Sequence, residues 1–529
     1  MSKKRIAFNA AATYLQSLFS VALGMFSIRW IYLALGKENF GLFSAVGAIL
    51  GFIGLFNTVL SRSDSRFFAL AIGEGRKHGP EHAFRELNAW FNTSFSVHLV
   101  LAVSLCFVMA FVGEYLIRGG VLVIPEGMVD SSLVVFRISL LLMFLSILHM
   151  PFIALYTAKQ LIFVRNFTHM LQTVLVAGEA WWLLHYEGNR FVAHGIAFSA
   201  TILVSYAILV GLACWSFPEC KLKLACWFDR KRLSELFSYS TYAFFDALGG
   251  CLHGSGFNLV VNSNFGPAAN AVIGVGGRVA AKLGDLSGAI MAAVAPEITS
   301  RFGAADLGRA KNLGALSCFI SAFPVCLIGI PCLFWIHDVL RIFLDNPPDG
   351  SDTVIAFLVA TSVFSHASIG LYALVLASQN VRGLQLSSAF LKASSMLLLW
   401  ILLKTGVTFL AAVGIAWILP AAAISGTRVW FAKHIVGVPL GSYARTAILP
   451  ISACIAFALL FCTGFRAATG PSFWWLFPCM ATNAACLVFL VSRLHPDETV
   501  RSAPGKILAT IRRRIHVLGA RHRFPRTHA

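Results

Sequence analysis

Apolar runs long enough to cross a hydrocarbon layer recur along nearly the whole chain. Crossing about 30 Å of hydrocarbon takes roughly 20 residues in a helix. Fourteen such runs lie between residues 8 and 492, and no gap between them exceeds about 26 residues. In lipid every backbone N–H and C=O must be bonded within the protein, which leaves the helix as the solution for runs of this length. The sequence predicts an all-α integral membrane protein of about 14 transmembrane helices. Composition agrees, with 58% hydrophobic and only 12% charged residues and a mean hydropathy of +0.76. The short connections leave no room for a soluble catalytic domain of ordinary size. The first run is too long for the apolar core of a secretory signal and is followed by no clear cleavage site, so it is read as a retained span.

Lysine and arginine collect on the cytoplasmic side of membrane proteins. With the N-terminus inside, the inner segments hold 31 of the 42 basic residues, the outer loops 6, and the spans the remaining five. Both termini are therefore expected in the cytoplasm. The net charge of +19 is then a topology signal and an attraction to anionic lipid headgroups rather than a nucleic-acid footprint. The last stretch, with Arg512-Arg513-Arg514, fits a polybasic surface segment. Twelve scattered cysteines without Cys-x-x-Cys spacing, and no paired histidine spacing, indicate neither a disulfide framework nor a metal site. No cofactor is implied.

Charges inside spans are costly, about 2.5 to 3.5 kcal/mol each on insertion scales, and they mark cavities or ion pathways. The spans hold Arg29, Arg137, Arg278, Lys282 and Lys392 against Glu179, Asp246 and Asp285. Arg278, Lys282 and Asp285 are spaced by four and three in the eighth span, so they share one helical face. That face requires a wet cavity or a buried ion network. Arg29 is near the end of the first span, where it lines the cavity or snorkels to the headgroups. His98, His149 and His169 are isolated in sequence and are read as packing residues.

The layout of span, glycine-bearing turn and span occurs twice. Leu35-Gly36-Lys37-Glu38-Asn39-Phe40-Gly41 joins the first two spans, and Phe265-Gly266 joins the seventh and eighth. Each second member ends in Ser-Arg-Phe, at residues 65–67 and 300–302. Such internal symmetry suggests two pseudo-symmetric lobes with a site between them. The expected division is residues 1–216 for the first lobe, 217–238 for a cytoplasmic connection, and 239–436 for the second. Two additional spans then fill 437–492, and a basic cytoplasmic tail fills 493–529.

The residues Gly36, Phe40-Gly41, Asn57, Arg66-Phe67, Phe265-Gly266-Pro267, Asn270-Ala271, Pro296 and Ile298 resemble the polysaccharide-biosynthesis branch of the multidrug/oligosaccharidyl-lipid/polysaccharide exporter superfamily, the Wzx-type flippases. The chain departs from that pattern after Asn270-Ala271, where relatives often carry an arginine and this chain has Val272-Ile273. The resemblance implies a multidrug-exporter-like fold and alternating access, with no enzymatic reaction. It implies movement of a polyprenyl-diphosphate-linked oligosaccharide to the outer leaflet of the bacterial inner membrane for surface polysaccharide, such as lipopolysaccharide O-antigen. Membrane lipids and other polysaccharide-assembly proteins would be its partners. The expected substrate contacts are Arg278, Lys282, Arg29 and Lys392, because fixed cations offset the desolvation of a pyrophosphate. Asp285 and Asp246 are the expected counter-ions or coupling groups. Rival readings are a lipid II flippase, a multidrug exporter with an acidic cavity, and a membrane-embedded polymerase or ligase. The last would want a large outer loop, and the longest outer loops here are short. Alkaline phosphatase fused after residue 492 should be inactive and a fluorescent protein there bright; the opposite pattern overturns the expected orientation.

Overall fold

Gly36 and Gly266 adopt nearly the same backbone conformation, φ 74°, ψ 172° and φ 74°, ψ −172°. That region is accessible essentially to glycine alone. In the computed structural model, which describes residues 3–378, 380–498 and 500–502, each of them breaks a long helix into two spans. Side chains at some described positions, Asp285 among them, lie outside the described residues, as does the polybasic stretch after residue 502. The first long helix is α1 (Lys3–His78). It is followed by α2 (Pro80–Arg118), α3 (Val129–Ala158), α4 (Ile162–His185), α5 (Arg190–Ser216) and α6 (Arg230–Cys251). The second, α7 (Phe257–Gly303), contains Gly266. Then come α8 (Leu307–Pro324), α9 (Ile330–Phe334), α10 (Ile336–Leu344), α11 (Ser351–Ala377), α12 (Arg382–Lys404), α13 (Phe409–Phe431), α14 (Leu440–Tyr443), α15 (Leu449–Thr469) and α16 (Leu476–Leu494).

The protein is an all-α, multi-pass membrane protein. Among the described residues there is no strand, and ten helical segments are long and apolar enough to cross a membrane. The fourteen runs expected from sequence include stretches such as α4, whose Arg165, Glu179 and histidines dilute its apolar character.

The glycines also place the internal repeat. Leu35-Gly36 corresponds in conformation to Phe265-Gly266, five residues before the Phe40-Gly41 that repeats the letters Phe-Gly. Arg66 follows Gly36 by 30 residues and Arg301 follows Gly266 by 35. Residues 62–88 are helical on both sides of Gly79 (φ 93°), with Pro80 opening α2 where a missing N–H costs nothing.

The chain forms two compact units. The first comprises Met1–Ala289, Leu340–Thr361 and Gln379–Phe431. One of its cores joins α1, α2, α3 and α5 through Phe67, Phe68, Trp90, Phe91 and Phe152. Another joins α7, α11, α12 and α13 through Phe257, Val272, Val354, Leu399 and Trp417. The two glycine corners interlock in this unit. A Cβ on Gly41 would lie 1.8 Å from the carbonyl oxygen of Pro267, so only hydrogen fits there. Farther along α1, among Gly47, Gly51 and Gly54, Gly51 makes a close approach. Its Cβ would fall 1.9 Å from Ser255 Oγ, whereas no described atom comes within 4 Å at the other two.

The segment 217–227 is fastened to α2. Asn88 Nδ2 donates to the carbonyls of Glu219 (2.7 Å) and Lys221 (2.8 Å). Asn92 accepts from the N–H of Lys223 at 2.6 Å, and Thr93 donates to Cys226 O at 2.9 Å. Asp229 then caps α6, accepting from the N–H groups of Lys231 and Arg232 at 3.0 Å each. The Arg232 N–H holds its carboxyl below the usual carboxylate range. Arg232 also reaches Glu86 of α2 at 2.8 Å.

The second unit comprises Ile290–Val339, Ser362–Ser378 and Ala432–Ala529. Its small core gathers Trp335, Cys462, Leu476 and Cys479. Gly314 of α8 and Gly370 of α11 meet closely, a Cβ on Gly370 falling 2.1 Å from Gly314 O. Buried side chains cap stray carbonyls: Tyr443 Oη donates to Ala367 O (2.6 Å) and Asn483 Nδ2 to Cys326 O (3.2 Å).

Gly36→Ala and Gly266→Ala should each cost about 1 to 3 kcal/mol through backbone strain, and Gly41→Ala should cost more. Gly47→Ala should leave the melting temperature of the detergent-solubilised protein unchanged. Equal melting of all four would show that the corners carry no strain.

Candidate functional site

The interlocked corners bring the first and second halves of α1 and the second half of α7 side by side within the first unit. Three of the expected cations lie along that junction. The Arg278 guanidinium carbon sits 4.9 Å from the ring centroid of Phe40, in cation–π geometry. Phe40 in turn meets Tyr32 edge-on at 5.4 Å, and Tyr32 Oη donates to Asn346 O at 2.7 Å. Among the described residues no carboxylate lies within 4 Å of Arg278, so its charge is met by a ring face rather than an anion.

Arg29 donates Nη1 to the carbonyl oxygen of Ile342 in α10 and likewise has no carboxylate within 4 Å among the described residues. A carbonyl dipole satisfies one donor of a group that has five. Lys282 lies over α1, its Nζ 3.9 Å from where a Cβ of Gly24 would be. Asp285, the third charge of that face, is backbone-helical, and its side chain lies outside the described residues.

Lys392 and Asp246 form a second polar locus in the same unit. Lys392 Nζ is 2.7 Å from Asp246 Oδ1, with side-chain exposures of 25% and 20%. One helical turn along α12, Ser395 Oγ is 2.6 Å from Nδ1 of His253. That histidine lies in a π-turn, Leu252–Gly256, which joins α6 to α7. Such turns insert an extra residue and are common where a helix serves a functional site. The two expected site residues Lys392 and Asp246 are thus held together, and the lysine is neutralised locally.

The other in-span charges are also paired. Arg137 Nε is 2.9 Å from Glu114 Oε1 in an exposed ion pair. Glu179, 7% exposed, accepts from Nδ1 of the buried His194 at 2.8 Å, and the imidazole packs 4.4 Å from the ring of Phe43. His98 Nε2 lies 3.6 Å from Asp64 Oδ2, both side chains fully buried. Sequence spacing hides these pairs, because their members sit on different helices or far apart on the chain. The signal available was only that Glu179 and His194 lie in two consecutive spans at depths that antiparallel neighbours would share.

No protein-family model matches this sequence, and no curated protein is significantly similar to it. Solved structures are similar in fold. An inward-facing multidrug resistance MATE family transporter of the MOP superfamily superposes with a TM-score of 0.62 at 14% identity, covering 84% of this chain and 98% of that one. The lipid II flippase MurJ, in an inward closed conformation, gives 0.58 at 12% identity, covering 93% and 99%. A MOP superfamily transporter from Pyrococcus furiosus, described as having a binding pocket of reverse polarity, gives 0.57 at 14% identity, covering 81% and 95%. The chain therefore has the fold of MATE transporters and of the lipid II flippase.

Removing one member of the Lys392–Asp246 pair strands the other. Asp246→Asn should destabilise by about 1 to 3 kcal/mol, and the double variant Asp246→Asn/Lys392→Met should be less destabilised than the sum of the two single changes by about 1 kcal/mol. Additive melting shifts would mean that the pair carries no coupling energy.

Proposed function

We propose that this chain is a flippase for a polyprenyl-diphosphate-linked oligosaccharide, moving it from the inner to the outer leaflet of the bacterial inner membrane for surface polysaccharide assembly. The observation that carries the reading is the pair of arginines that have no carboxylate partner among the described residues, Arg278 and Arg29, at the junction of α1 and α7. A guanidinium without a counter-ion inside a membrane-spanning segment is costly, and an anionic substrate removes that cost. A diphosphate offers oxygens in the geometry that a guanidinium grips through two parallel hydrogen bonds. Lys282 adds a point charge on the face of Arg278, four residues on.

In this reading the lobes 1–216 and 239–436 alternate access around the cations, and both termini face the cytoplasm. Lys392 joins the substrate from the second lobe by exchanging Asp246 for a phosphate oxygen. Asp246, once released, is the group free to take up a proton or cation, and Asp285 has the same role beside Lys282. The fold shared with MATE transporters and the lipid II flippase supports transport by rocking lobes.

A multidrug exporter for cationic compounds would want fixed anions where this chain has arginines. A second reading, transport of lipid II itself, is favoured by the extent of the likeness to that flippase, which covers 93% of this chain.

Deleting the gene should cause lipid-linked sugars to accumulate where a membrane-impermeant reagent cannot reach them in intact cells. Wild type should relieve the accumulation. Arg278→Gln, expressed to the same level, should lower flipping by roughly tenfold to hundredfold, as expected for about 1.5 to 3 kcal/mol of charge-assisted bonding. Arg278→Lys should fall in between. Accumulation of lipid II instead would favour the second reading. Sugars accessible from outside would point to a polymerase or ligase step, and normal flipping by Arg278→Gln would remove that residue from the site.

A further inference from the structure

A second polar cavity, which the proposed transport route does not use, lies inside the first unit. It is walled by α1, α3, α4 and α5 and has a volume of about 440 Å³. Its lining holds no carboxylate, and the groups that define it are Gln16, His149, Arg165, His169 and Tyr206. Arg165 is partly buried, and among the described residues no carboxylate lies within 4 Å of it.

His149 is 5% exposed, and neither ring nitrogen has a hydrogen-bond partner among the described residues. Its ring is stacked on Tyr206, 4.1 Å between centroids and 23° between planes. A neutral imidazole carries one donor and one acceptor, and buried groups of this kind are ordinarily satisfied. The stack fixes the ring, so the missing partner is something the cavity admits rather than another rotamer.

His169 is tied to α1. Its Nδ1 lies 3.2 Å from the amide nitrogen of Gln16. Gln16 itself is steadied by Ser20 Oγ at 3.1 Å. Arg165 is in the first turn of α4, which begins at Ile162 without a side-chain cap.

Depth narrows the ligand further. Gln16 precedes Gly36 by 20 residues on α1, about 30 Å of helix. The cavity is therefore at the far end of that span from the glycine corners, at the level of lipid headgroups.

We infer that this cavity binds a phosphate group, carried on a membrane lipid or free in solution. Arg165 grips the anion through two N–H groups, and the imidazole of His149 donates to one of its remaining oxygens. The volume suits a phosphate with its glycerol fragment. The site is separate from the arginines at the α1–α7 junction and does not rest on the flippase reading.

The test uses the full purified chain in neutral detergent. Thermal unfolding is followed by tryptophan fluorescence during titration with inorganic phosphate, with short-chain phosphatidylglycerol, and with a diacylglycerol of equal chain length that lacks phosphate. Saturable stabilisation is expected with at least one phosphate-bearing probe and not with the diacylglycerol. Arg165→Gln should raise the half-saturating concentration about tenfold, as loss of a bidentate charged contact predicts. His149→Phe keeps the ring stack and should raise it by roughly threefold; it decides the matter by itself where Arg165→Gln does not fold.

A response to phosphate itself assigns a soluble anion, and a response to phosphatidylglycerol alone assigns a headgroup. Stabilisation that is unaffected by either substitution, or absent with both probes, overturns the inference. So does stabilisation lost in Arg278→Gln but kept in Arg165→Gln, which would move the anion to the α1–α7 junction.

Discussion

The backbone contact between Gly41 and Pro267 is the constraint on which the site depends. A helix cannot reverse within a few residues in hydrocarbon without exposing unbonded backbone, so each reversal is made at a single glycine, Gly36 or Gly266, in a conformation closed to other residues. Because Gly41 has no side chain, the second half of α1 can lie against the opening of α7's second half. That contact sets the register between the two helices. The register carries Arg278 to the face of Phe40 and lays Lys282 over Gly24.

Charge in the spans is then sorted into two kinds. Glu179 with His194, Lys392 with Asp246 and Arg137 with Glu114 are neutralised locally. Such pairs gain little net stability over apolar packing of the same volume, but breaking one strands a charge where water is scarce. Arg278, Arg29 and Arg165 are of the other kind, held by a ring face, a carbonyl or a polar wall. A chain that keeps guanidinium groups in this state bears a standing electrostatic cost, and an anionic ligand is the economical account of it.

Much of this was legible in the sequence. The apolar runs gave the fold class, and the four-and-three spacing of Arg278, Lys282 and Asp285 marked the face that bears the cations. The glycine turns showed the repeat, although the letters Phe-Gly suggested a register five residues from the one that the backbone conformation defines. Pairings across helices were not legible. His98 read as packing, and only the fold brings it within 3.6 Å of Asp64. The Arg165 cavity was equally hidden, since its walls come from four helices. Periodicity reports which face of one helix is polar, but not which helix will meet it.

The docking of residues 217–227 onto α2 has a consequence for how the chain is made. The amide of Asn88 finds its partners at Glu219, 131 residues later in the chain. At ordinary synthesis rates of about 5 to 20 residues per second, the ribosome takes roughly 7 to 26 seconds to deliver them. During that interval the polar face of α2 is already in place with its amides unanswered, and three more helices must enter the membrane beside it. The first half of the protein is therefore left open until its own last segment closes it, just before α6 emerges.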